Sequence, residues 1–135
     1  MSYIDHLGIA VKSLAEARKF YEKLGLQVMP EETVEAEKVR LVMIPVGESR
    51  IELLQATAPD STIARFIEKH GEGLHHVAVH VNDLAGTVER LKAAGTRLIS
   101  DDIKIGAGGH LYVFVHPSSS GGVLLELVED APQGV

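Results

Sequence analysis

Gly71-Glu72-Gly73-Leu74-His75-His76-Val77-Ala78-Val79-His80-Val81 reads as a β-strand, and it has a counterpart in Ile4-Asp5-His6-Leu7-Gly8-Ile9-Ala10-Val11. Side chains alternate along a strand with period two. One face of the later stretch therefore presents His75, Val77, Val79 and Val81, and the other Leu74, His76, Ala78 and His80. In the earlier stretch Leu7, Ile9 and Val11 share an apolar face, while His6 lies with Gly8 and Ala10. In both, a histidine sits beside residues too small to fill space, as an open cavity requires and a packed core does not. His6 and His76 form a matched pair.

The match extends along the chain. A shift of 70 positions sets His6 on His76, Val11 on Val81, Ser13 on Asp83, Leu14 on Leu84, Ala15 on Ala85 and Gly25 on Gly95. Ser13 and Asp83 are good helix N-caps, and Ser13 has Glu16 three places on, the spacing of a capping box. Leu14, Ala17, Tyr21 and Leu24 recur at helical spacing, as do Leu84, Val88 and Leu91, so each segment predicts an amphipathic helix with one buried stripe. Gly25 and Gly95 predict left-handed C-terminal caps. Three strands are expected after each helix: Leu26 to Val34, Val39 to Val46 and Arg50 to Ala56, then Arg97 to Asp102, His110 to His116 and Val123 to Val128. The chain thus reads as two βαβββ modules, an internal repeat that decides the fold. Module one spans residues 1–58 and module two 73–130, with a linker over 59–72 in which Ser61 or Asp60 caps a short helix containing Ile63, Phe66 and Ile67. Residues 131–135 read as a tail, and the whole as a single domain.

At 135 residues, 45% hydrophobic and 24% charged, the chain has the composition of an ordinary globular protein. No apolar run is long enough to span a bilayer, and the N-terminus enters a strand without a signal-peptide pattern, so a cytoplasmic protein is expected. The absence of cysteine removes disulfides, thiolate metal sites and thiol nucleophiles together. A net charge of −6 argues against nucleic acid or an anionic membrane as partner.

If the halves fold alike about a pseudo-twofold axis, a ligand from one half should have a twin in the other. The carboxylates obey this: Glu52 and Glu126 are each an isolated acid within the apolar last strand of a module. A lone carboxylate on a half-buried strand is costly unless paired or bound to a metal. His6, Glu52, His76 and Glu126 therefore compose a set of imidazole and carboxylate donors suited to a divalent first-row metal. His75 has the parity of the valines and is read as packing. His80 shares parity with His76 but lies four residues on, and is read as a pocket-edge or surface group. His70, His110 and His116 flank turns, and Glu31, Glu32, Glu35 and Glu37 read as a solvated hairpin.

Three stretches carry a resemblance to a known family: Asp60 to Ala78, Lys104-Ile105-Gly106-Ala107-Gly108-Gly109, and Phe114-Val115-His116-Pro117 with Gly122 to Leu127. They resemble the vicinal oxygen chelate superfamily and, within it, the methylmalonyl-CoA epimerase family. The resemblance implies an α+β fold of two paired βαβββ modules in a cupped mixed sheet. It also implies a divalent ion (cobalt, manganese, nickel or zinc) held by His6, Glu52, His76 and Glu126, an acyl-CoA substrate and a homodimer. By that resemblance the reaction inverts the carbon between a thioester and a carboxylate, which needs a proton acceptor on one face and a donor on the other. Glu126 is assigned one role; Glu52, or a water on the metal, takes the second. Gly106 to Gly109 would either admit the acyl or pantetheine part closely or form a flexible hairpin approach. Family members can carry a glutamate base where this chain has Leu41, or Arg40 with a one-residue slip, and often a lysine where it has Ser118.

A glyoxalase I type lactoylglutathione lyase uses the same ligands. The run Ser118-Ser119-Ser120-Gly121-Gly122-Val123, in place of an Asp-Pro-Asp-Gly type turn, favours the epimerase. A ring-cleaving dioxygenase wants two histidines and one carboxylate. A metal-free small-molecule-binding member of the same fold would not need all four ligands.

Overall fold

The repeat is realised as two successive βαβββ arrangements. In the computed structural model, which describes residues 2–130, the first comprises β1 (Tyr3–Ala10), α1 (Leu14–Lys23), β2 (Glu32–Val34), β3 (Val39–Val46) and β4 (Ser49–Ala56). Helix α2 (Thr62–His70) leads to β5 (Gly73–His80), α3 (Leu84–Ala93), β6 (Lys104–Ile105), β7 (Leu111–Val115) and β8 (Leu125–Glu129). The tail expected over residues 131–135 lies outside the described residues. His6–His75 forms one compact unit; the stretch from His76 onward, with the residues before His6, forms the other. In the first unit the strand order is β2-β3-β4-β1, with β1 and β4 parallel and the remaining pairs antiparallel. In the second, β5-β8-β7-β6 repeats that pattern, with β5 and β8 parallel.

The helix ends follow from their capping residues. Ser13 Oγ accepts from Glu16 N at 3.2 Å, Asp83 Oδ1 from Gly86 N at 3.1 Å and Ser61 Oγ from Ala64 N at 3.0 Å, so Ser61 rather than Asp60 caps α2. Gly25 and Gly95 have φ of +85° and +83° and end α1 and α3 in the same way. Gly25 N donates to Glu22 O and Leu26 N to Tyr21 O at 2.9 and 3.2 Å; Gly95 N donates to Lys92 O and Thr96 N to Leu91 O at 3.0 and 2.9 Å. This is the Schellman arrangement. It also explains one departure from the helical stripe: Leu24 is 59% exposed, because the reversal at Gly25 brings Leu26 in beside Tyr21 instead.

Two expected strands are mostly irregular. Of Leu26 to Val34 only Glu32–Val34 pairs as a strand. Pro30 has no N–H to give to a ladder, and the segment before it reaches β3 through the bond from Met29 N to Met43 O at 2.9 Å. Arg97 to Asp102 holds to β7 through the Leu98–Val115 bridge and the bond from Ile99 N to Phe114 O. Ser100 Oγ then accepts from Asp102 N at 3.3 Å, a local turn that competes with strand pairing, and the short edge strand falls at Lys104–Ile105 instead.

The cores are also twins. Val11, Leu14, Val42, Ile44 and Leu53 are buried together in the first unit, and Leu84, Val88, Val113, Val115 and Leu127 in the second. Each helix lies across its sheet and is held at its N-terminus by the end of the last strand. Leu14 N donates to Gln55 Oε1 at 2.8 Å and Leu84 N to Glu129 Oε1 at 3.0 Å. These amides open their helices and have no intrahelical acceptor. Gln55→Ala and Glu129→Ala should each lower unfolding stability by about 1 kcal/mol, measured by urea titration, whereas Glu129→Gln should retain most of it.

Candidate functional site

Each unit carries one buried imidazole–carboxylate pair, and sheet register explains both. In the first, β1 and β4 run parallel with Gly8 opposite Glu52, so Glu52 shares a face with Gly8 and with His6 two residues earlier. In the second, Ala78 stands opposite Glu126, and His76 precedes Ala78 by two. The small residues at Gly8 and Ala78 leave room beside each carboxylate. His6 Nε2 lies 3.4 Å from Glu52 Oε1, and His76 Nε2 lies 3.1 Å from Glu126 Oε1. All four residues are buried, His6 to 1% exposure, Glu52 to 6%, and His76 and Glu126 to 5% each.

The donor set fits a divalent first-row ion. Imidazole and carboxylate are the ligands such ions take without thiolates, and two donors at about 2.1 Å from one ion lie about 3 to 3.4 Å apart. A carboxylate this buried needs a cation or strong hydrogen bonds in any case.

Other histidines have different duties. His75 packs its ring edge-to-face against Phe66 of α2 at 4.9 Å, and His70 sits 4.9 Å from the same ring. His116 Nδ1 accepts from Ser118 N at 3.0 Å and pins the turn after β7. His80 departs from the surface half of its reading. It is buried to 8% exposure, stacked on Tyr3 at 4.6 Å and 10°, with Nε2 3.5 Å from Asp130 Oδ2. Parity identifies its face but not the aromatic ring that covers it.

Register also brings up residues that parity alone did not single out. Met43 stands opposite Glu52, and Phe114 opposite Glu126. Alternation then puts Leu41 on the face of Glu52 and Arg40 on the reverse, where Arg40 lies 3.5 Å from Glu31. That face of β3 presents Val39, Leu41, Met43 and Pro45, none of them titratable. Gly106 has a packing reason: a Cβ there would meet the His110 ring at 3.0 Å and Tyr112 Cε1 at 3.1 Å.

The family model described as the Glyoxalase/Bleomycin resistance protein/Dioxygenase superfamily matches residues 5–114. The chain belongs to this superfamily. Its fold is the α+β arrangement of βαβββ modules that the repeat predicts. Among superfamily relatives, mitochondrial methylmalonyl-CoA epimerase of Bos taurus is 38% identical over 126 residues, 92% of this chain and 72% of the relative. The ethylmalonyl-CoA/methylmalonyl-CoA epimerase of Cereibacter sphaeroides is 36% identical over 127 residues, 92% of this chain and 95% of that one. A variant of Streptomyces coelicolor methylmalonyl-CoA epimerase, solved in complex with 2-nitronate-propionyl-CoA, superposes with a TM-score of 0.92 at 33% identity, covering 98% of this chain and 97% of that chain.

Proposed function

We propose that this chain is a metal-dependent methylmalonyl-CoA epimerase, interconverting the (R) and (S) forms by removing and returning the α-proton. The observation that carries the reading is the repeated buried pair, His6 with Glu52 and His76 with Glu126, in a chain more than a third identical to named epimerases. In this reading the four side chains serve one divalent ion, of the class of cobalt, manganese, nickel or zinc, within a single domain. The ion, when bound, supplies a Lewis acid that stabilises negative charge developing on the thioester oxygen.

The chain's own groups move the protons. Glu126 accepts the α-proton: a carboxylate is a base at neutral pH, and its position beside His76 and Phe114 holds it in a sheltered place. Glu52 serves the opposite face of the substrate carbon. The support for this is that the β3 residues sharing its face, Leu41 and Met43 among them, offer no titratable group. The partner is then an acyl-CoA thioester and not nucleic acid, in keeping with a net charge of −6. None of the described helices is long and apolar enough to cross a membrane. A homodimer completes the reading, on family resemblance alone, and a cytoplasmic location stands as the expectation from the sequence.

Three outcomes are expected. Purified protein should hold about one divalent ion per chain by elemental analysis; His6→Ala or His76→Ala should lose it, while His75→Ala, whose ring packs on Phe66, should keep it. Loss at His75 but not at His76 would invert the parity assignment. With methylmalonyl-CoA in deuterated water, the wild type should interconvert the epimers with deuterium uptake at the α-carbon, and Glu126→Gln should lose at least about a hundredfold of the interconversion rate with far less loss of metal. Near-normal interconversion in Glu126→Gln would overturn the mechanism. Glu52→Gln should also abolish interconversion of the two epimers at full metal occupancy, while the epimer whose proton faces Glu126 still exchanges; if interconversion persists, Glu52 is a ligand only.

A further inference from the structure

Phe114 stands in register opposite Glu126, which in turn stands opposite Ala78, so these residues and His76 share one face of the second unit's sheet. The Phe114 ring meets His76 edge-on, with centroids 5.5 Å apart and planes at 90°. Tyr112, two residues earlier on the same face of β7, also meets it edge-on at 5.8 Å and 78°. Tyr112 is 7% exposed and buried in a cluster with Ala78 and Val128, and Phe114 is packed on that cluster while remaining only partly buried. The result is an aromatic ring held between His76 and the Tyr112 cluster, beside the imidazole and carboxylate of the pair. Its twin in the first unit is Met43, opposite Glu52, a flexible thioether that adapts to what it touches.

We propose that Phe114 is a specificity-determining residue that limits the size of the α-substituent on the acyl thioester. The inference rests on the epimerase reading. A carbon that gives its proton to Glu126 must lie next to that carboxylate, and its alkyl group then lies against the neighbouring Phe114 ring. Met43 can yield to a larger group, whereas Phe114, held between His76 and Tyr112, cannot. One methylene against such a wall is worth about 10- to 200-fold in discrimination.

The test compares kcat/KM for α-deuterium exchange with methylmalonyl-CoA and ethylmalonyl-CoA in wild type, Phe114→Leu and Phe114→Ala, with metal content measured alongside. The ethyl-to-methyl ratio should rise by about tenfold or more in Phe114→Ala and by less in Phe114→Leu. Because the ratio is internal to each variant, loss of folded protein cancels from it, and Phe114→Leu serves if the alanine variant does not fold. An unchanged ratio in variants that still exchange overturns this assignment alone. A wild type that exchanges neither substrate overturns the epimerase reading, and this assignment with it.

Discussion

A carboxylate withdrawn from water on the face of a β-sheet must be met by positive charge or by strong hydrogen bonds, and in this protein that demand arises twice. Glu52 and Glu126 are 6% and 5% exposed. An ionised group left alone at such burial would cost several kcal/mol or give up its charge. The sheets answer by placing a histidine on the adjacent parallel strand, two residues before a glycine or alanine that stands opposite the acid. A bulky residue at Gly8 or Ala78 would press on the carboxylate, and a one-residue register slip would send the histidine to the helix side. The parallel register and the small residues together house these two acids.

Duplication lets one set of physical solutions serve both halves, with changes of side chain where the demand is looser. Ser13 and Asp83 cap equivalent helices. Gln55 and Glu129 both offer an acceptor to the first helical amide, one neutral and one charged, since either meets the need of that N–H. The Schellman ends recur at Gly25 and Gly95. The halves diverge beside the carboxylates, where Met43 occupies the position equivalent to Phe114, and this is where a substrate with two unlike faces would require asymmetry.

Much of this is legible in the chain itself. The limits read for Val39–Val46 coincide with the observed strand, which is bounded by Lys38, in a left-handed turn at φ +55°, and by Gly47. The choice of His6, Glu52, His76 and Glu126 follows from parity combined with the repeat, whereas their pairing within each module needs the parallel register of β1 with β4 and of β5 with β8. What escapes is set by turn chemistry at the sheet edges and by contacts distant in sequence. The edges β2 and β6 are shortened by Pro30 and by the Ser100 turn. His80 is covered by the ring of Tyr3, far away in sequence. Phe114 becomes conspicuous only once register sets it across from Glu126.

The central claim is that two His–Glu pairs from the two modules serve a single ion. X-ray absorption fine structure on cobalt-loaded protein, with the cobalt-to-chain ratio determined on the same sample, tests it most directly. The account requires two imidazoles around each cobalt with the remaining donors oxygen, at about one ion per chain. One imidazole per cobalt, or two equivalent ions per chain, would contradict it.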